Sequence, residues 1–402
     1  MEISHRSLLF RSLGVVLLGA LAPVLALAQV TPLSSEFPVS LDGVSYNYTP
    51  AVATTDGGFL AVWKEGGIPP GSTAPKVVVA RRFDESGAPL GNAVPISTSA
   101  LSDYAAISVA LDAGGEGLAV WTVAAPGPIG TTRVVGRFLD PSGAPLGTEI
   151  EISPLGNTPR VAALAGGGFV VVWARPGDGI LSPRILARLY DASGAPAGAG
   201  FAVSGSHGWL YQGRPAVAAN GQGGFVVVWE RSNQGYHLNF AGRIFSADGA
   251  PRSGEIQLVA PARFSGQPAV AYAPDGGFMV VWIRTGIVLG ERFDARGQSR
   301  GHAFAISATA GETRTEPGIT FDGAGRSVVF WRRSKEPQAA GQALDAAGRP
   351  VGGHFFFGPN RLSEITAAFF PDGDLVGVWL RPGLNGNGER VVGRTYQLQP
   401  TP

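Results

Sequence analysis

The chain reads as an all-β protein, a seven-bladed β-propeller of four-stranded antiparallel blades. Three observations predict it. An apolar run ending in tryptophan recurs seven times, at Trp63, Trp121, Trp173, Trp229, Trp282, Trp331 and Trp379, with spacings of 48 to 58 residues. Each run lies in a unit of four short strand patterns with no helical periodicity between them. The seventh unit stops after Arg394-Thr395-Tyr396 without a fourth strand, and an unmatched copy of that strand, Glu36-Phe37-Pro38-Val39-Ser40, lies near the N-terminus.

The units follow a leader. Arg6 and Arg11 precede an apolar stretch from Leu13 to Leu25, and Ala26-Leu27-Ala28 forms a small-residue cleavage site before Gln29. Residues 1–28 are therefore expected to be a signal peptide, with residues 29–402 forming one exported domain, secreted or periplasmic. The apolar stretch is short and holds Pro23, which argues against a permanent membrane span. With Cys 0 the folded chain has no disulfides, so its stability must come from packing, for which 45% apolar residues suffice. A net charge of +1, with no basic run, gives no reason to expect nucleic acid as a partner.

Each unit begins with a segment such as Pro50-Ala51-Val52-Ala53, Pro215-Ala216-Val217-Ala218 or Pro268-Ala269-Val270-Ala271. A tight Asp/Gly turn follows, as in Asp275-Gly276-Gly277, where glycine supplies the positive φ a hairpin needs. The second strand is the tryptophan run, apolar at every position and so expected to be covered on both faces. The third strand, for example Ile185 to Tyr190, closes with a second turn of the form Asp191 to Gly194. The fourth is short, as in Glu149 to Ser153, Glu255 to Val259 and Ala303 to Ser307. The expected blades span about 45–98, 99–153, 154–204, 205–260, 261–307, 308–358 and 359–402. A single meander cannot bury both apolar faces of its inner strands, whereas a closed ring of them can. Residues 36–40 should complete the last blade, and Pro38, like Pro95, suits an outer edge strand.

The units resemble a repeat of large secreted bacterial proteins of the RTX- and adhesin-associated type, of approximate form GGFxVxW followed by RFDxxGxPxGxExxVS. Gly168-Phe169 to Trp173, Gly136-Arg137-Phe138 with Asp140, and Glu255-Ile256 carry the match. The resemblance covers essentially the whole chain after the leader and implies a propeller module without assigned chemistry. The chain lacks the calcium nonapeptide, so calcium is not implied.

Function is expected on the face that carries the variable second-to-third loops. The link Ser206-His207-Gly208-Trp209-Leu210-Tyr211 and the loop Arg231-Ser232-Asn233-Gln234-Gly235-Tyr236-His237 should emerge together on blade four. His207, Trp209, Tyr211, Arg231, Asn233, Tyr236 and His237 are thus candidate ligand-binding residues, against the alternative of an amphipathic rim that binds nothing. Arginine two positions after the tryptophan recurs as Arg175, Arg231, Arg284, Arg333 and Arg381. These residues either ring a funnel that attracts polyanions or bridge neighbouring blades. The leading expectation is a monomeric, non-enzymatic binding module for a carbohydrate or an extracellular protein. The first alternative is an enzyme acting on acidic glycans, such as a polysaccharide lyase. It would use His207 or His237 with Tyr211 or Tyr236 as acid and base, and Arg231 to neutralise the uronate. The second alternative is a scaffold without a small ligand. No zinc-type spacing, phosphate loop or nucleophile elbow is present, so no metal or cofactor is expected.

Overall fold

The structure is a computed structural model, and it describes residues 30–40, 48–66, 76–99, 101, 106–127, 130–177, 182–205, 208–233, 237–263, 265–307, 314–333, 338–358, 362–382 and 389–399. The predicted leader, 1–28, lies outside them. The described residues form seven antiparallel sheets arranged as a ring, with no helix among them. Six sheets are simple four-stranded meanders whose strands pair in sequence order. The seventh comprises Ser363–Phe369, Asp374–Pro382 and Glu389–Leu398, completed by N-terminal residues. Phe37 and Pro38 pair with Gly393 and Val392, as expected for the closing strand. A further segment, Val30–Pro32, pairs with Tyr396 to Leu398, so the N-terminus grips the last strand twice.

Seven apolar clusters fill the seven blade junctions, and the last of them closes the ring. Strand alternation explains how one strand serves two clusters. In blade four, Phe225, Val227 and Trp229 face blade three, whereas Val226 and Val228 face blade five. Every repeat tryptophan is buried against the preceding blade. The closing junction buries Val39 with Phe59, Trp63, Val378, Leu380 and Val391. The hydroxyl of Ser40, also buried, accepts the Val391 N–H at 3.0 Å.

The recurrent aspartates are turn caps. In blade one, Asp84 Oδ1 accepts the N–H groups of Ser86 and Ala88, both at 2.9 Å, and the Ser86 hydroxyl at 2.6 Å. Gly87 completes that turn at φ 88°. Asp140 and Asp191 repeat the arrangement with Ser142 and Ser193. The serine hydroxyls, followed by the turn N–H groups, hold these three carboxyls below the ordinary carboxylate range. A carboxylate with a depressed folded-state pKa stabilises the fold above its unfolded pKa of about 4, and that contribution disappears as pH falls through the folded value. The melting temperature should therefore drop as pH falls below about 4. The drop should be shallower when Ser86, Ser142 and Ser193 are all alanine, as scanning fluorimetry across pH would read.

Candidate functional site

The ring leaves a central channel lined by the first strand of each blade. It holds a cavity of about 420 Å³ bounded by residues such as Arg160, Arg214, Gln267, Glu316, Glu364 and Phe330. Local backbone geometry decides which side chains reach it. In blades three to seven the first strand breaks register with the second at one equivalent place, between Asn157 and Arg160, Gly213 and Ala216, Gly266 and Ala269, Thr315 and Gly318, and Ser363 and Ile365. Each break is a β-bulge, which re-aims a side chain. The bulged residue has positive φ although it is not glycine: Thr158 at 47°, Arg214 at 46°, Gln267 at 58°, Glu316 at 57° and Glu364 at 27°. Four of the five precede proline, whose ring disfavours the ordinary helical conformation of the preceding residue. Such backbone costs roughly 1–3 kcal/mol per residue and persists where the surroundings over-determine it.

Because Gly213 pairs with Glu230, just past Trp229, this end of the channel opens on the face that carries the second-to-third loops. In blades one, four and six the residue following the tryptophan is charged, and its charge is opposite to that of a bulged residue nearby. Arg214 Nη1 lies 3.7 Å from Glu230 Oε1, and Arg332 Nε lies 4.0 Å from Glu316 Oε2. Lys64, buried in blade one, interacts with Glu364; burial first, then Lys76, pulls its ammonium down to about 8. Arg160 differs. It extends into the channel with Nη1 donating to the Pro159 carbonyl at 2.9 Å, and its nearest charge influence is Glu316.

Glu230 is the buried carboxyl of the group. Its side chain is 2% exposed. It accepts the Tyr211 hydroxyl at 3.2 Å and the Gln267 backbone N–H from the next blade. Gln267 Oε1 in turn accepts the Glu316 N–H at 2.5 Å. Burial pushes the Glu230 carboxyl up, and the Gln267 N–H, Arg214 and Tyr211 offset only part of that push. Burial, followed by the Glu230 charge, also raises the Tyr211 phenol, so Tyr211 stays protonated. The tyrosine folds back over Gly213, where a Cβ would lie 2.3 Å from its hydroxyl. Glycine there is what allows the Tyr211–Glu230 contact.

The residues singled out from sequence fall in several places. Tyr211 joins the channel mouth through Glu230. Arg231 is buried, with Nε donating to Asn239 at 2.8 Å, Nη1 to Glu255 at 2.6 Å, and its guanidinium 4.3 Å from the Trp209 ring. Asn233 is exposed. His207 and Tyr236 lie outside the described residues, as does the side chain of His237, which begins a strand. Arg175 donates to the Ser182 carbonyl at 3.2 Å, Arg333 to Gln338 at 3.4 Å, and Arg381 to Glu36. Arg284 is exposed beside the Thr285-Gly286 turn. None of the five W-x-Arg residues borders the channel cavity.

Sequence reasoning missed Arg160, Arg214, Glu230, Gln267, Glu316 and Glu364. For Arg214, Gln267 and Glu316 the signal was present in the dipeptides Arg214-Pro215, Gln267-Pro268 and Glu316-Pro317, which Thr158-Pro159 matches. A polar residue before the first-strand proline marks the bulge. Among the described residues no three His, Cys, Asp or Glu side chains gather as a metal set.

No protein-family model matches the chain, and no curated protein sequence matches it. Solved structures do. A protein of unknown function from Dyadobacter fermentans DSM 18053 is 10% identical, with a TM-score of 0.54 over 92% of this chain and 99% of that one. Puromycin hydrolase is 17% identical, with a TM-score of 0.51 over 86% of this chain and 52% of that one. Alpha-L-arabinanase from Penicillium chrysogenum, complexed with arabinobiose, is 15% identical, with a TM-score of 0.49 over 80% of this chain and 98% of that one. At such identities the likeness establishes the propeller fold. Against the expectation of a non-enzymatic binding module, the activity named among the structures above a TM-score of 0.5, that of puromycin hydrolase, is an enzymatic one.

Proposed function

We propose that the chain is an exported enzyme that cleaves glycosidic bonds in acidic glycans at the loop-face mouth of the channel. The observation that carries this reading is the Glu230 carboxyl, whose proton affinity burial raises above the ordinary carboxylate range directly behind Arg214 and Gln267, which line the cavity. A protonated carboxyl at that position can donate to a leaving glycosidic oxygen. Glu316, backed by Arg332, supplies a carboxylate at the same mouth to activate water, completing the acid/base pair that glycoside hydrolysis requires. Arg160 and Arg214 provide the cations that would hold a sugar carboxylate. Hydrolysis fits better than elimination by Tyr211, since a phenol with raised proton affinity is a poor base.

In this reading the leader directs export, the repeat belongs to the RTX- and adhesin-associated type, and the working unit is a monomer whose partner is the glycan itself. Trp209, held flat by Arg231, and the exposed pair Leu210 and Tyr211 form a lip for sugar rings beside the mouth.

The test is incubation with a panel of uronate-containing and neutral polysaccharides, reading both reducing ends and absorbance from unsaturated products. New reducing ends without unsaturation are expected on the uronate polymers. Arg160→Ala should then raise KM for those polymers about tenfold, the value of one charge-assisted contact, with a smaller change in kcat. No product across the panel would overturn the enzymatic reading, whereas unsaturated products would replace hydrolysis by elimination.

A further inference from the structure

A second cavity, about 330 Å³, lies between blades five and six on the face opposite the channel mouth, where the third-to-fourth turns gather. Its walls carry Arg292, Arg300, His302 and Arg349, and no carboxylate. We propose that this groove binds a tetrahedral oxyanion, a sulfate or phosphate, either as the free ion or as an ester on a glycan.

The placement of the guanidiniums carries the inference. Arg292 stands at a third-strand position that holds Phe138, Leu189, Ile244 and Ala343 in blades two, three, four and six, where the apolar residue packs on the neighbouring blade, and Arg82 and Thr395 in blades one and seven. A cation here makes the turn end of that junction polar, beside its apolar cluster. Gly348 accommodates it: a Cβ on Gly348 would lie 2.8 Å from Arg292 Cδ. The nearby carboxylates sit behind the arginines rather than in the groove. Asp275 takes the Arg300 guanidinium and lies 3.7 Å from Arg292 Nη2. Asp345 holds Arg349 through Nε at 2.8 Å, while its other oxygen caps the turn by accepting the Arg349 N–H. Asp294 is occupied in the same way by the N–H groups of Arg296 and Gln298.

These carboxylates neutralise much of the charge, and the site is accordingly one of modest affinity. They also hold the arginines in place, and the cavity that Arg292, Arg300 and Arg349 line together offers one anion N–H donors from two blades. Tetrahedral oxyanions, with several acceptor oxygens around one centre, suit three convergent forks better than a single planar carboxylate does. The groove is remote from the channel and independent of the proposed reaction.

Calorimetric titration of the full chain at low ionic strength tests the site, with sodium sulfate, sodium phosphate, a sulfated disaccharide and its unsulfated parent as probes. Saturable binding of the oxyanions or the sulfated sugar is expected, with the parent silent. Arg292→Gln and Arg349→Gln should each weaken it about tenfold, and Arg160→Ala, in the channel, should leave it unchanged. Binding of inorganic ions alone assigns the groove to free anions, whereas tighter binding of the sulfated sugar assigns it to esters. Arg349 is 80% exposed, so its variant should fold even where Arg292→Gln does not. Absence of saturable binding, or binding indifferent to Arg349→Gln, overturns the proposal.

Discussion

Glu230→Gln is expected to lower kcat on the acidic glycan by roughly 10²- to 10⁴-fold, the usual contribution of general acid catalysis, without lowering the melting temperature. Glutamine keeps the shape: its amide oxygen, placed where Oε1 stands, accepts the Gln267 N–H, while its NH2, in place of Oε2, donates to the Tyr211 oxygen, so that contact reverses. The transferable proton is lost. The stability sign follows from burial. A carboxyl whose folded pKa is raised costs stability once the unfolded chain begins to ionise, above about pH 4, and the cost is complete above the folded pKa. At neutral pH the variant should therefore melt no lower than the parent, and the difference should close below about pH 4. The parent's kcat should fall on the alkaline side, above the ordinary carboxylate range, as Glu230 gives up its proton. Turnover within a few-fold of the parent, with the same alkaline limb, would remove Glu230 from the reaction. A melting temperature that collapses would mark the residue as structural.

The second large effect is expected at the ring closure. Val39→Asp places a charge among Phe59, Val378, Leu380 and Val391, all fully buried or nearly so. It should cost about 4 kcal/mol or more, the range of an unpaired buried charge. Deleting residues 30–40 should do more. It removes both grips on Glu389–Leu398, the Arg381–Glu36 pair and the Phe37 ring, 6.0 Å from Phe59 and 6.2 Å from Phe83. The last strand then presents an unpaired edge beside an open apolar cluster, a combination that favours aggregation. Leu33→Asp, in the same segment but 51% exposed, should change little. Chemical denaturation and light scattering read all three. A truncated chain that unfolds at the parent's denaturant midpoint would mean that the ring is held shut elsewhere.

That closure was legible in the chain because it is a matter of counting: seven second strands, six complete units, and one stray fourth strand with the same proline. Burial was legible for a similar reason. The tryptophan runs are apolar at every position, which only a strand covered on both sides tolerates, and each cluster draws alternate residues of such a run. Val30–Pro32 was not foreseen, since three residues with no counterpart in the other blades carry no periodic signal.

The candidate site was less legible. Histidines and aromatics in the blade-four link drew attention because they are rare in this composition, yet Arg231 and Trp209 are engaged with each other and with Glu255. The arginines after the tryptophans left two readings open, a ring for polyanions or links to other parts of the chain, and the structure shows Arg175 on Ser182, Arg333 on Gln338 and Arg381 on Glu36.

The sequence by itself determined the repeat, the number of blades, the turn chemistry and the closing strand, because each follows from local period and from the burial of both strand faces. Only the tertiary structure decided which polar side chains meet. A bulge of one residue, set before a proline, swings Arg214, Gln267 and Glu316 to the channel mouth, and the adjoining blade brings the Gln267 N–H onto Glu230. Partners 37 residues apart in sequence become neighbours only when the ring closes, and it is that enclosure, not any local motif, that raises the proton affinity of Glu230.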